Sequence, residues 1–130
     1  MESIFSKIVA GQIPAHKVAE TSDYLAFLDI NPLTEGHLLV IPKKEVDYLF
    51  DLDSETYVGL MMFAKIVAIG LKRAIPCERI GLTVIGLEVP HAHIHLIPMN
   101  TMDDMNFSRP KLKLSEERLT EIAEAIRVQL

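Results

Sequence analysis

His91-Ala-His-Ile-His-Leu96 alternates three of the chain's five histidines with apolar residues, between Pro90 and Pro98. At the period of two that a β-strand imposes, all three imidazoles fall on one face and Ala92, Ile94 and Leu96 on the other. Helical spacing would scatter the rings around a single turn, and Pro90 favours an extended approach. The expectation is a strand with one face packed and one chemical. Its imidazoles should be spaced at roughly 6.6–6.8 Å, within reach of one phosphate-sized group.

The remaining pattern fits one small domain. With 130 residues, 49% of them hydrophobic, there is material for one core and no second. A single cysteine, Cys77, excludes an internal disulfide, and no charged start or long apolar run suggests a secretory leader or membrane span. A cytoplasmic protein is therefore expected. Thirteen Lys and Arg stand against 18 Asp and Glu, a net charge of −5, which provides no broad positive field for nucleic acid or an anionic membrane. A phosphate-bearing ligand must be held by local groups.

Apolar residues at 4, 5, 8 and 9, stopped by Gly11, predict a short N-terminal helix. Residues 17–20 and 24–29 read as a hairpin around Thr21-Ser-Asp23, and 37–41 as a third strand with His37 at its mouth. A helical turn is expected within 46–50. Asp53 or Ser54 caps a long helix towards Ala74, with Leu60, Ala64, Val67, Ala68 and Leu71 inward and Met61, Met62 and Phe63 widening its apolar surface. Residues 80–87 read as a buried strand, 99–105 as a loop, and Ser115 as the start of a last helix with Glu116 and Glu117 in its first turn.

Several histidines on one face serve zinc binding, acid–base catalysis or nucleophilic attack. The plain alternative is that polar residues alternate with apolar ones on any half-buried strand. Three histidines in register are a poor choice for a solvent face, where Thr or Lys serves better.

His91-Ala-His93-Ile-His95-Leu-Ile resembles the His-x-His-x-His-x-x signature of the histidine triad (HIT) family. Ile4-Phe-Ser-Lys-Ile-Val-Ala-Gly-Gln-Ile-Pro14 is similar to the family's N-terminal segment. Leu25 to Pro32 and Gly36 to Lys44 are similar to its second block. The likeness spans residues 3–98, leaving 99–130 as a C-terminal extension. It implies an α+β fold, a five-stranded antiparallel sheet with helices packed on it plus an extra C-terminal helix. It also implies a homodimer with joined sheets, and a purine nucleotide substrate attacked at its α-phosphorus to form a nucleotidyl-histidine.

On this resemblance His93 is the nucleophile, His95 bonds the phosphate and the departing atom, and His91 and His37 stand behind as a supporting pair. Asp29 corresponds to the position that grips the ribose hydroxyls, although an Asx turn is its ordinary role beside a strand end. Ile4, Phe5, Ile8, Phe27, Leu28, Ile30 and Leu39 form the apolar slot for the base, with Glu88 and Val89 at its rim. Glu88 stands where the family has a small or amide side chain. A carboxylate there repels phosphate, so it points away, orients a histidine or favours an amine leaving group. Some members bind structural zinc through an N-terminal Cys-x-x-Cys and histidines matched to His37 and His91. Ser3 and Ser6 occupy the cysteine positions, so neither metal nor cofactor is expected. A nucleotide-binding protein with little turnover and a zinc hydrolase using the His-x-His pair are the other readings.

Overall fold

The computed structural model describes residues 2–130. Its elements are α1 (Ile4–Val9), β1 (Lys17–Glu20), β2 (Tyr24–Leu28), β3 (Leu38–Pro42), α2 (Ser54–Ala74), β4 (Arg79–Thr83), β5 (Ile94–Met99) and α3 (Glu116–Arg127). Single 3-10 turns lie at Leu49–Asp51 and Met102–Met105. The five strands form one antiparallel sheet in the order β1-β2-β3-β5-β4. The fold is the α+β arrangement that the resemblance implied.

Both faces of the central strands are covered, which is why β3 reads Leu-Leu-Val-Ile without polar alternation. Leu38 and Val40 join Ala26, Leu28, Ile94 and Leu96 in the main core under α2 and α3, while Leu39 and Ile41 join Leu25 and Phe27 under α1. Each fully buried aliphatic side chain contributes about 1.5–3 kcal/mol. Asp53 caps α2 by accepting from the Thr56 N–H, and Ser115 caps α3 by accepting from the Arg118 N–H. By length and composition alone α2 could cross a membrane, yet Leu60, Phe63, Ala64, Val67 and Leu71 are buried against the sheet.

Three expectations are corrected here. Strand β5 starts at Ile94, so His91 and His93 precede the ladder: the His91 N–H bonds Val89 O and the Ala92 N–H bonds Val46 O instead of β3. The alternation of sides survives, with Ala92, Ile94 and Leu96 in the main core. Residues 80–87 are not one buried strand. Strand β4 is a half-exposed edge that ends at Thr83, and the chain then leaves the sheet through Gly86, at φ +74°, exposing Ile85 and Leu87. On α2 only Met62 of the expected trio faces outward, because Phe63 stacks on Tyr24 at 5.6 Å and Met61 packs against the core.

Candidate active site

The sheet delivers the histidines in a row. His95 lies opposite Leu39 in the β3–β5 register, on the α1 face, and His93 precedes the strand on the same side. Gly36, at φ +93°, makes the turn that presents His37; a side chain there would meet Ile75 Cγ1 at 2.9 Å, so glycine is required twice over. The His93 and His95 rings meet edge to face at 5.0 Å between centroids, closer than ideal strand spacing. His37 and His95 follow at 5.2 Å.

Hydrogen bonds determine which nitrogen of each ring carries the proton. The Leu33 N–H donates to His37 Nδ1 at 3.0 Å, so His37 carries its proton on Nε2. That nitrogen lies 2.9 Å from His95 Nδ1 and donates to it, leaving His95 with an Nε2–H. His93 is the reverse. Its Nδ1 donates to the His91 carbonyl at 2.7 Å, so its Nε2 keeps the lone pair. A lone pair on His93 and an N–H on His95 are thus adjacent on the cleft wall. Burial lowers the pKa of His37 to about 3, helped by His95 and Lys111, and that of His95 to about 4, helped by His93. Both rings stay neutral through the physiological range, which preserves the relay.

The cleft in front of them encloses about 490 Å³. Phe5 and Phe27 meet edge to face at 5.5 Å, and Phe5 lies 5.0 Å from the His93 ring. Ile8, Leu28 and Leu39 complete the wall, while the half-exposed Ile4 and Ile30 stand at the rim. Asp29 also lines it. One of its oxygens accepts from the Asn31 N–H at 2.8 Å, the Asx turn, and the other lies 3.7 Å from His37 Nε2. Burial raises its pKa against the opposing pull of Asn31, His93 and Lys111. Glu88 and Val89 line the opposite rim, Glu88 exposed and Val89 packed towards α1.

His91 does not line the cleft, and it does not pair with His37. It is fully buried beneath Phe5, its Nε2 donating to Pro42 O at 2.8 Å and its Nδ1 accepting from the Ser3 hydroxyl at 2.7 Å. The two histidines flank the row at opposite ends. Glu45, which sequence reasoning missed, closes this network: one carboxylate oxygen accepts from the Ser3 N–H and from the Ser6 hydroxyl, each at 2.6 Å. Those hydrogen bonds lower its pKa to about 2.

Neither cluster suits zinc. Around His91 the remaining donors are serine hydroxyls and one carboxylate, and both ring nitrogens are engaged. Asp29, His37 and His95 bring donor atoms within 4.8 Å of one another. Metal on His37 Nε2, however, would force its proton onto Nδ1, against the Leu33 N–H.

Other contributors also went unread in the sequence. Ile13, Pro14 and Ala15 follow α1 into the slot, with Ile85 and Leu87 on the loop after β4. Phe107 and Lys111 arrive from beyond residue 98, Phe107 lying 4.9 Å from the His95 ring. Phe107 and Lys111 belong to no periodic stretch that would have marked them.

The HIT domain profile matches residues 10–102. An adenosine 5'-monophosphoramidase of Schizosaccharomyces pombe is 36% identical over 129 residues, covering 97% of this chain and 96% of that protein. A HIT-like protein of Borreliella burgdorferi is 36% identical over 137 residues, covering 99% of each. The crystal structure of a HIT-like protein from Bartonella henselae superposes with a TM-score of 0.86 at 32% identity, covering 99% of this chain and 97% of that one. On its signature, its sheet and these relatives, the chain belongs to the HIT family.

Proposed function

We propose that this chain is a hydrolase of purine nucleoside phosphoramidates or dinucleoside polyphosphates, working through a nucleotidyl-histidine on His93. The observation that carries the reading is the pair of opposed tautomers, a lone pair on His93 Nε2 beside a proton on His95 Nε2. Phosphoryl substitution depends mainly on positioning and charge stabilisation, and covalent attack divides one hard displacement into two.

In the first step the His93 Nε2 lone pair forms a bond to the α-phosphorus. The bond to the leaving atom breaks with its electron pair, and the His95 Nε2–H, hydrogen-bonded to that atom, stabilises the charge it gains until solvent protonates it. The nucleotidyl-imidazole of His93 is left positive beside a neutral His95 ring. In the second step water attacks phosphorus and loses its proton to solvent, and the P–N bond breaks back to the His93 lone pair. Asp29 holds the ribose hydroxyls, and the Phe5–Phe27 slot takes the base.

The test is release of nucleoside monophosphate from a panel of both substrate classes, with and without chelator. Release at undiminished rate in chelator is expected. Tight nucleotide binding with no release would favour a binding protein, and loss of activity with metal would favour a zinc hydrolase.

The active unit in this reading is a homodimer. Val58, Met62, Ile66 and Ile69 form an exposed apolar stripe along α2, and β4 is an open sheet edge bearing exposed Leu82. Light scattering at micromolar concentration should give twice the 14.6 kDa chain mass, and Ile66→Glu should give the monomer. A monomeric wild-type protein would contradict it.

A further inference from the structure

The hydrogen bond that sets the His37 tautomer comes from a peptide unit bonded on both sides. The Pro32–Leu33 peptide is trans, so its carbonyl and its N–H point in opposite directions. The N–H donates to His37 Nδ1 at 3.0 Å, and the carbonyl accepts from the Leu112 N–H at 2.8 Å. The bonds therefore run in one direction, from the Leu112 amide through this peptide and the His37 ring to His95 Nδ1. Each bond in such a chain polarises the next, so an amide that accepts at its carbonyl donates more strongly at its N–H. The Asp29 carboxylate, 3.7 Å from His37 Nε2, favours the same proton position.

The next peptides are held from the same segment. Arg109 donates to Leu33 O at 3.2 Å, and its guanidinium pairs with Asp103 and Asp104 at 3.2 Å each. Arg118 on α3 grips Glu35 through two hydrogen bonds, at 2.9 and 2.6 Å, just before the turn at Gly36. Pro32 and Leu33 are buried, where a carbonyl left without its donor is costly. Arg109, Leu112 and Arg118 all lie beyond residue 102, where the HIT match ends.

Resting on the hydrolase reading above, we propose that the Leu112 amide and Arg109 are positioning groups, which hold the Pro32–Leu33 peptide against His37 and so keep the His95 proton on Nε2. Which nitrogen of a histidine carries the proton is set by the bond its other nitrogen makes. If the Leu33 N–H turns away, His37 Nδ1 is free to take a proton, its Nε2 becomes an acceptor, and His95 donates from Nδ1 instead. His95 then meets the leaving atom with a lone pair that repels the charge developing there. Complete loss of such a donor costs about 100-fold or more in kcat.

The test compares Leu112→Pro, which removes the N–H, with Leu112→Ala, which keeps it and trims the side chain, and Arg109→Met with Arg109→Lys. Ring-nitrogen NMR at neutral pH reads the tautomers without substrate. In wild type, His37 and His95 should each show a protonated Nε2 and a bare Nδ1. Leu112→Pro and Arg109→Met should give mixed tautomers on both rings, while His93, bonded to the His91 carbonyl, keeps its own. In nucleotide release the same two variants should lose about tenfold in kcat, a partial loss of the donor, with KM within about twofold of wild type. Leu112→Ala should keep the wild-type tautomers, and Arg109→Lys should recover most of the loss. Arg109→Met carries the test if the proline variant does not fold. Unaltered tautomers in the proline and methionine variants, mixed tautomers with unchanged kcat, or equal effects of Leu112→Ala and Leu112→Pro overturn the proposal while the hydrolase reading stands. A wild-type protein that releases no nucleotide removes the hydrolase reading, and the NMR comparison still decides whether these groups set the tautomers.

Discussion

His93→Asn should fold, bind nucleoside monophosphate and lose turnover by about three powers of ten or more. The large effect follows from covalent catalysis: without the Nε2 lone pair no nucleotidyl intermediate forms, and no other ring is equivalently placed. His91 is sealed under Phe5 with both nitrogens engaged, and His95 presents a proton. The modest structural effect follows from the local contacts. His93 is 7% exposed, its one intramolecular hydrogen bond runs to the His91 carbonyl, and an asparagine amide can donate there instead. Steady-state kinetics and nucleotide titration separate the two effects. Near wild-type turnover would place the nucleophile elsewhere.

The second large effect is on stability against acid. In the unfolded chain a histidine takes up a proton below about pH 6.5, whereas in the folded state His95 does so only near 4 and His37 near 3. Between those values the unfolded state binds more protons, so stability is intact above pH 6.5 and falls with pH. Each ring contributes on the order of 1.4 kcal/mol per pH unit inside its window. His91, lowered chiefly by burial, acts in the same direction. Asp29 acts oppositely, because burial raises its folded pKa and protonation favours the fold. Urea unfolding at pH 7, 5.5 and 4.5 should show a steep decline, made shallower by His37→Phe. A flat profile from 6.5 to 4.5 would mean that the histidine pair is not held neutral.

Local signals were the legible ones. The 4, 5, 8, 9 spacing located α1, Asp53 and Ser115 capped the helices they precede, and the alternation at 91–96 sorted the core side of β5 from the chemical side. Signals that depended on distant partners were lost. The hydrogen bond from Ser3 to His91 joins residues 88 apart, and the burial of Phe63 on α2 depends on Tyr24 from strand β2. Glycines 81 and 86 hinted at a departure from regular strand, but not that β4 would be an edge ending at Thr83. Phe107 and Lys111 lie in a stretch with no periodicity, so only the fold brings Phe107 to His95 and Lys111 to the cleft.

The central claim is that His93 carries the nucleotide during turnover. Wild-type protein mixed with a nucleoside phosphoramidate, quenched without acid and digested for mass spectrometry, should show a nucleoside monophosphate adduct on the peptide containing 91–95, with fragmentation mapping it to His93. His93→Asn should show none under the same conditions. An adduct on His91 or His95, or sustained turnover with no adduct on any histidine, would contradict the account.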